Sequence, residues 1–130
     1  MQTPLIEFSA ERGRIKLRLC CIRMGDDLCV TLSGGDREHI GAMALSEPRP
    51  SHEDEDRRSA TTSVITLRGH KEDELARRIA SRLTSRTGSV ACVACGIHVE
   101  AILPTELTDV LEMSEELAKN LLERLSNQGD

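Results

Sequence analysis

Between residues 14 and 24 apolar and polar positions alternate: Ile15, Leu17, Leu19 and Cys21 are interleaved with Arg14, Lys16, Arg18 and Cys20. Such alternation buries one face of a strand and leaves the other, here basic, to solvent. Gly25-Asp26-Asp27 carries the turn chemistry for a hairpin into a second strand at 28–32. Upstream, residues 3–10 read as a short edge strand closed by a turn at Glu11-Arg12-Gly13. Further strands are expected at 40–45, 61–67 and 89–95, the last two as short apolar runs. The period changes after Lys71, where Leu75, Ala76, Ile79, Ala80 and Leu83 recur at helical spacing. Acids Glu72, Asp73 and Glu74 open that segment, Arg82 and Arg86 close it, and Gly88 supplies the stop, which predicts a helix over 71–86. Pro104-Thr105-Glu106 opens a last helical region with Leu107, Val110, Leu111, Ser114, Leu117, Ala118, Leu121 and Leu125 on one stripe, read as one helix or as two broken near Met113-Ser114.

These elements predict an α+β fold, a mostly antiparallel sheet of five to six strands with two or three helices packed on one face. A length of 130 residues suits a single domain, 1–130. Residues 47–59 hold two prolines, dense charge and no large apolar side chain, and are expected to form a mobile acidic loop. Several strands are apolar on both faces, so the face without helices is expected to pair in a homodimer.

Composition narrows the possible partners. Phe8 is the only aromatic residue, so no planar ligand can be sandwiched between aromatic rings. A net charge of −5 with interspersed cations argues against nucleic-acid binding. The absence of a long apolar run argues against a membrane span, and the expected location is cytoplasmic. Five cysteines without an export signal predict reduced thiols. Cys92-Val93-Ala94-Cys95 has the C-x-x-C spacing, but inside a strand its two sulfurs would fall on opposite faces, so these cysteines read as packing residues.

Three glycine–histidine clusters carry the candidate chemistry: Gly34-Gly35-Asp36 through His39 to Gly41, Gly69-His70-Lys71, and Gly96-Ile97-His98. The second precedes a helix start, where free amides and the dipole favour an anion. Imidazoles hold metal, carry protons or, when charged, bind phosphate. Each cluster also has a simpler reading, as turn geometry and capping. No nucleophile elbow, P-loop or dinucleotide fingerprint is present.

The ordered set Gly34-Gly35-Asp36…His39-Ile40-Gly41-Ala42, Gly69-His70-Lys71-Glu72-Asp73-Glu74-Leu75 and Gly96-Ile97-His98-Val99 resembles the LpdD-like prenylated-flavin chaperone family, grouped with bacterial relatives of the fourth proteasome assembly chaperone. It departs from the family pattern at Glu38, in place of a proline, and at Glu100-Ala101, in place of Asp-Asn. The resemblance implies a non-catalytic accessory protein that binds prenylated FMN, or FMN, and delivers or preserves it for a UbiD-type decarboxylase, with a flavin prenyltransferase as a further partner. The residues implied at the flavin are Gly34, Gly35, Asp36, His39, Gly69, His70, Lys71, Gly96 and His98. Lys71 and His70 would hold phosphate, His39 and His98 would contact the ring or a shared metal or water, and Asp36 would orient one imidazole. Two alternatives come from other classes: a protein-assembly chaperone acting through the open sheet face, and a hydrolase with a metal on His39, His70 and His98. No resident metal is expected.

Overall fold

The alternating segment forms the second strand of a three-strand meander: β1 (Leu5–Arg12), β2 (Ile15–Met24) and β3 (Asp27–Gly35), all antiparallel neighbours. The turns fall at Gly13 and Gly25, both at positive φ with open space around them. The computed structural model describes residues 5–50, 58–67 and 72–127. The chain continues through β4 (Arg37–Pro50), β5 (Arg58–Thr66), α1 (Asp73–Thr87), β6 (Ala91–His98) and α2 (Pro104–Asn127).

The six strands form one sheet in the order β1-β2-β3-β6-β4-β5. β6 is therefore inserted between β3 and β4, parallel to the first and antiparallel to the second. Every other pairing is antiparallel. The fold is α+β with two helices on one face, as the pattern of apolar positions predicts. α1 packs over β4, β5 and β6, and α2 over β1 and β2. The core between them is aliphatic: Leu17, Leu19, Leu32, Val93, Ile79, Leu83, Leu117 and Leu121 are fully buried, with Phe8 at the margin.

Local chemistry sets the helix ends. Gly88 caps α1 in the left-handed region and its amide donates to the Thr84 carbonyl at 2.8 Å. In α2, Glu106 reaches back to accept the Leu103 amide at 3.0 Å, the acidic half of a capping box. Arg14 donates to the same carboxylate at 2.7 Å, and together these bonds hold Glu106 down at about 2, the Arg14 bond contributing most. α2 is one unbroken helix. Ser114 is accommodated inside it because its hydroxyl donates to the Val110 carbonyl at 2.7 Å.

The segment expected as a loop at 47–59 is strand at both ends, because β4 runs to Pro50 and β5 starts at Arg58. The prolines are tolerated because β6 pairs with β4 only as far as Ser46. Pro48 and Pro50 face a single neighbour, β5, and need no amide toward the other side. Residues 51–57 lie outside the described ones. No described helix is long and apolar enough to cross a membrane.

Candidate functional site

The insertion of β6 brings the clusters at 34–41 and 96–98 together. β3 ends with Gly35 paired to His98, and β4 begins with Arg37 paired to the same residue from the other side. The Gly34-Gly35-Asp36 corner thus passes over the end of β6. The Asp36 amide donates to the His98 carbonyl at 2.6 Å. Gly35 has φ 77, and a Cβ there would strike that same carbonyl, so glycine is required by both backbone shape and space.

Farther along, the β4–β6 register slips between Glu38 and Ala42, leaving His39, Ile40 and Gly41 in a bulge opposite Gly96. A Cβ on Gly96 would collide with the His39 carbonyl, and one on Gly41 with the Glu72 carboxylate. The bulge sends the His39 side chain toward the start of α1. There its Nε2 donates to Glu72 Oε1 at 3.0 Å, with only 21% and 12% of the two side chains exposed. The Ile97 amide donates to the same oxygen at 3.4 Å. Cys95, one strand position away, lies beneath the helices, and burial pushes its thiol up to about 12, with the charge of Glu72 a smaller cause.

The second histidine is more open. His98 Nε2 donates to Glu100 Oε2 at 3.0 Å, and the Glu100 amide donates to Asp36 Oδ2 at 2.7 Å. Asp36 therefore ties down the backbone at Glu100; among the described residues, the carboxylates that meet imidazoles are Glu72, at His39, and Glu100, at His98. Arg14 adds a bond to the Glu100 carbonyl at 2.8 Å, linking this corner to the start of α2. Glu38 bonds Ser33 and Arg18 on the open face, and the Ser33 hydroxyl chiefly holds its pKa down.

His98 lines two depressions. One, of about 330 Å³, is bounded by Arg37, His39, Ile40 and His98. The other is a mainly apolar groove of about 570 Å³ between α1, the end of β6 and the first turns of α2. Leu75, Val99, Ile102, Leu107 and Leu111 line it, and Glu72, Glu74 and Arg78 form its polar side. Ile102 and Leu107 are 41% and 51% exposed, a large apolar surface to leave in water.

Of the residues singled out in the sequence, Gly34, Gly35, Asp36, His39, Gly96 and His98 converge here. Gly69, His70 and Lys71 lie outside the described residues. The space freed by the glycines is already taken up by the chain itself: by Lys16 backbone at Gly34, His98 at Gly35 and His39 at Gly96. They shape the site by letting the strands close up. Sequence reasoning missed Glu72, read only as an acid suited to a helix start, and it missed the groove. The signal for the groove was present in Ile102, Leu103, Leu107 and Leu111, whose apolar surplus exceeds what one buried stripe requires. Among the described residues, no three His, Cys, Asp or Glu side chains are grouped to hold a metal ion.

The fold is shared with a chain in the crystal structure of a novel chaperone complex for yeast 20S proteasome assembly, which superimposes with a TM-score of 0.53 at 15% identity, covering 92% of this chain and 99% of that one. Protein LpdD of Lactiplantibacillus plantarum (strain ATCC BAA-793 / NCIMB 8826 / WCFS1) is 23% identical over 123 residues, covering 88% of this chain and 81% of LpdD. Residues 11–126 match the model of the prenylated flavin chaperone LpdD-like domain, and the chain belongs to that chaperone family.

Proposed function

We propose that this protein is a non-catalytic carrier of prenylated FMN, which it holds in the groove beside His98 and passes to, or preserves for, a UbiD-type decarboxylase. Family membership supports the ligand class. The observation that carries the reading is the sharing of His98 between a hollow that also presents His39 and Arg37 and a mainly apolar groove. A prenylated flavin has the matching chemistry, a flat, largely apolar ring system beside hydrogen-bonding edges.

The residues present fit such a group. With no Phe, Tyr or Trp in the lining, Leu75, Val99, Ile102, Leu107 and Leu111 would cover the ring and its prenyl extension by aliphatic contact. His98 would meet a polar ring edge. Among the described residues, Arg78 is the cation on the groove wall suited to phosphate, in addition to the phosphate contact that the resemblance implies for His70 and Lys71. When bound, the group supplies the electrophilic chemistry used by the client enzyme. The chain itself contributes shape, exclusion of water and hydrogen bonds.

The test is an anaerobic titration with prenylated FMN followed by flavin absorbance. Leu107→Asp and His98→Ala are each expected to weaken binding by about tenfold or more, the equivalent of about 1.4 kcal/mol. Unchanged affinity in both variants would move the ligand elsewhere.

The second expected partner is another copy of this chain. The sheet face opposite the helices exposes Met43 and Leu45 on β4 beside Ile65 on β5, with Ile22 on the same face beyond β6 and β3, a surface suited to an isologous, two-fold pairing. The same face is what an assembly chaperone would use. Light scattering of the purified protein distinguishes the two: a homodimer supports self-pairing, and a monomer leaves the face for a client.

A further inference from the structure

Three of the five cysteines stand on the open face of the sheet, and two of them meet. Cys29 on β3 and Cys92 on β6 are register partners in the sheet's parallel strand pair, with their sulfurs 3.6 Å apart. Both are half-buried, so both are within reach of a small reagent. They are 63 residues apart in sequence, so it is the fold that pairs them. Neighbouring strands lie within the Cα separation that a disulfide spans, about 4.4–6.8 Å. The remaining cysteines are placed differently. Cys21 and Cys95 point under the helices, where burial drives their thiols up to about 11 and about 12. Cys20 shares the open face but is paired with Thr31.

We propose that Cys29 and Cys92 form a reversible dithiol–disulfide site on the open sheet face, oxidised by low-molecular-weight disulfides of the glutathione class. The contact sets the order of events. The Cys92 thiol donates to Cys29 Sγ, and burial first, then this bond, hold the Cys92 thiol protonated above its ordinary range. Cys29 is therefore the attacking sulfur. Its thiolate attacks one sulfur of the small disulfide, breaking the S–S bond and forming a mixed disulfide; the released thiolate takes up a proton. Cys92 then gives up its proton and attacks the Cys29 sulfur, expelling the second small thiol. Two electrons and two protons pass from the protein to the small disulfide, which leaves as two thiols.

The bond would fasten the strand pair that ends, six register positions further on, at Gly35 and His98. The inference goes beyond the flavin reading, because the chemistry can be scored without any flavin present.

Full-length protein is incubated with oxidised glutathione, and its intact mass and peptide map are recorded. The same is done for Leu45→Glu, a variant whose open face stays uncovered by a second copy. The expected product, in one or both, has lost two hydrogens, carries no glutathione, links the Cys29 and Cys92 peptides within one chain, and reverts with dithiothreitol. Cys20→Ser should behave as wild type, and Cys92→Ser should stop at a glutathione adduct on Cys29. A stable adduct in the wild type, a different cysteine pairing, a product of twice the mass, or no reaction in either protein would overturn the proposal.

Discussion

Leu32 and Leu45 stand on strands either side of β6, yet one is fully buried beneath the helices and the other is 55% exposed on the opposite face. The covered face is filled from every strand and both helices, so each side chain there answers to many neighbours. The open face holds Ile22, Met43, Leu45, Ile65 and three cysteines with nothing above them among the described residues. Buried packing therefore resides on one side of the sheet, and exposed apolar surface on the other. The candidate site lies at the rim where the strand order is interrupted by β6.

The contrast is sharpest for matched truncations. Leu32→Ala should cost about 3 kcal/mol in a denaturant titration, since it removes buried volume from a packed layer. A loss below about 1 kcal/mol would mean that the covered face is not the structural one. Next comes Gly96→Ala, whose Cβ meets the His39 carbonyl; about 2 kcal/mol of destabilisation is expected, with the strand shift also displacing His39. Gly25→Ala is the control, strained only by its positive φ, at about 1 kcal/mol.

A smaller effect comes with pH. Glu106 titrates at about 2 when folded, well below the ordinary carboxylate value, so its bonds to Arg14 and the Leu103 amide stabilise fully above that ordinary value. The contribution is lost as pH falls from about 4.3 toward 2. Arg14→Ala should flatten that part of the stability profile; an unchanged acid slope would remove Glu106 from the explanation. Smallest of all, Leu45→Ala should change the unfolding free energy of isolated monomer by less than about 0.5 kcal/mol. If the face is dimeric, the same substitution lowers the melting temperature at a given protein concentration and makes it less dependent on concentration than in wild type.

Much of the covered side could be read from the sequence, because alternation in 15–21 and three-to-four spacing in 75–83 and 107–125 are local signals of burial. The C-terminal cap at Gly88 and the opposite orientations of Cys92 and Cys95 follow from equally local rules. The strand order did not follow, since inserting β6 between β3 and β4 depends on contacts some sixty residues apart. That one long-range fact hides most of the site. It turns Asp36 toward the Glu100 amide and gives the imidazoles to Glu72 and Glu100. It also fills the glycine gaps with the chain's own backbone. Pro48 and Pro50 misled for a related reason: they are compatible with a strand only because β6 begins alongside Ser46 and leaves the rest of β4 with β5 as its neighbour.

The most direct test of the carrier reading is native mass spectrometry, with an absorbance spectrum, of protein coexpressed with a flavin prenyltransferase and purified without oxygen. The chain has no Trp or Tyr, so a flavin spectrum stands on an almost empty background. The account predicts one prenylated FMN per chain, lost in Leu107→Asp. Protein that emerges bare, or that carries flavin equally well with the groove blocked, would contradict it.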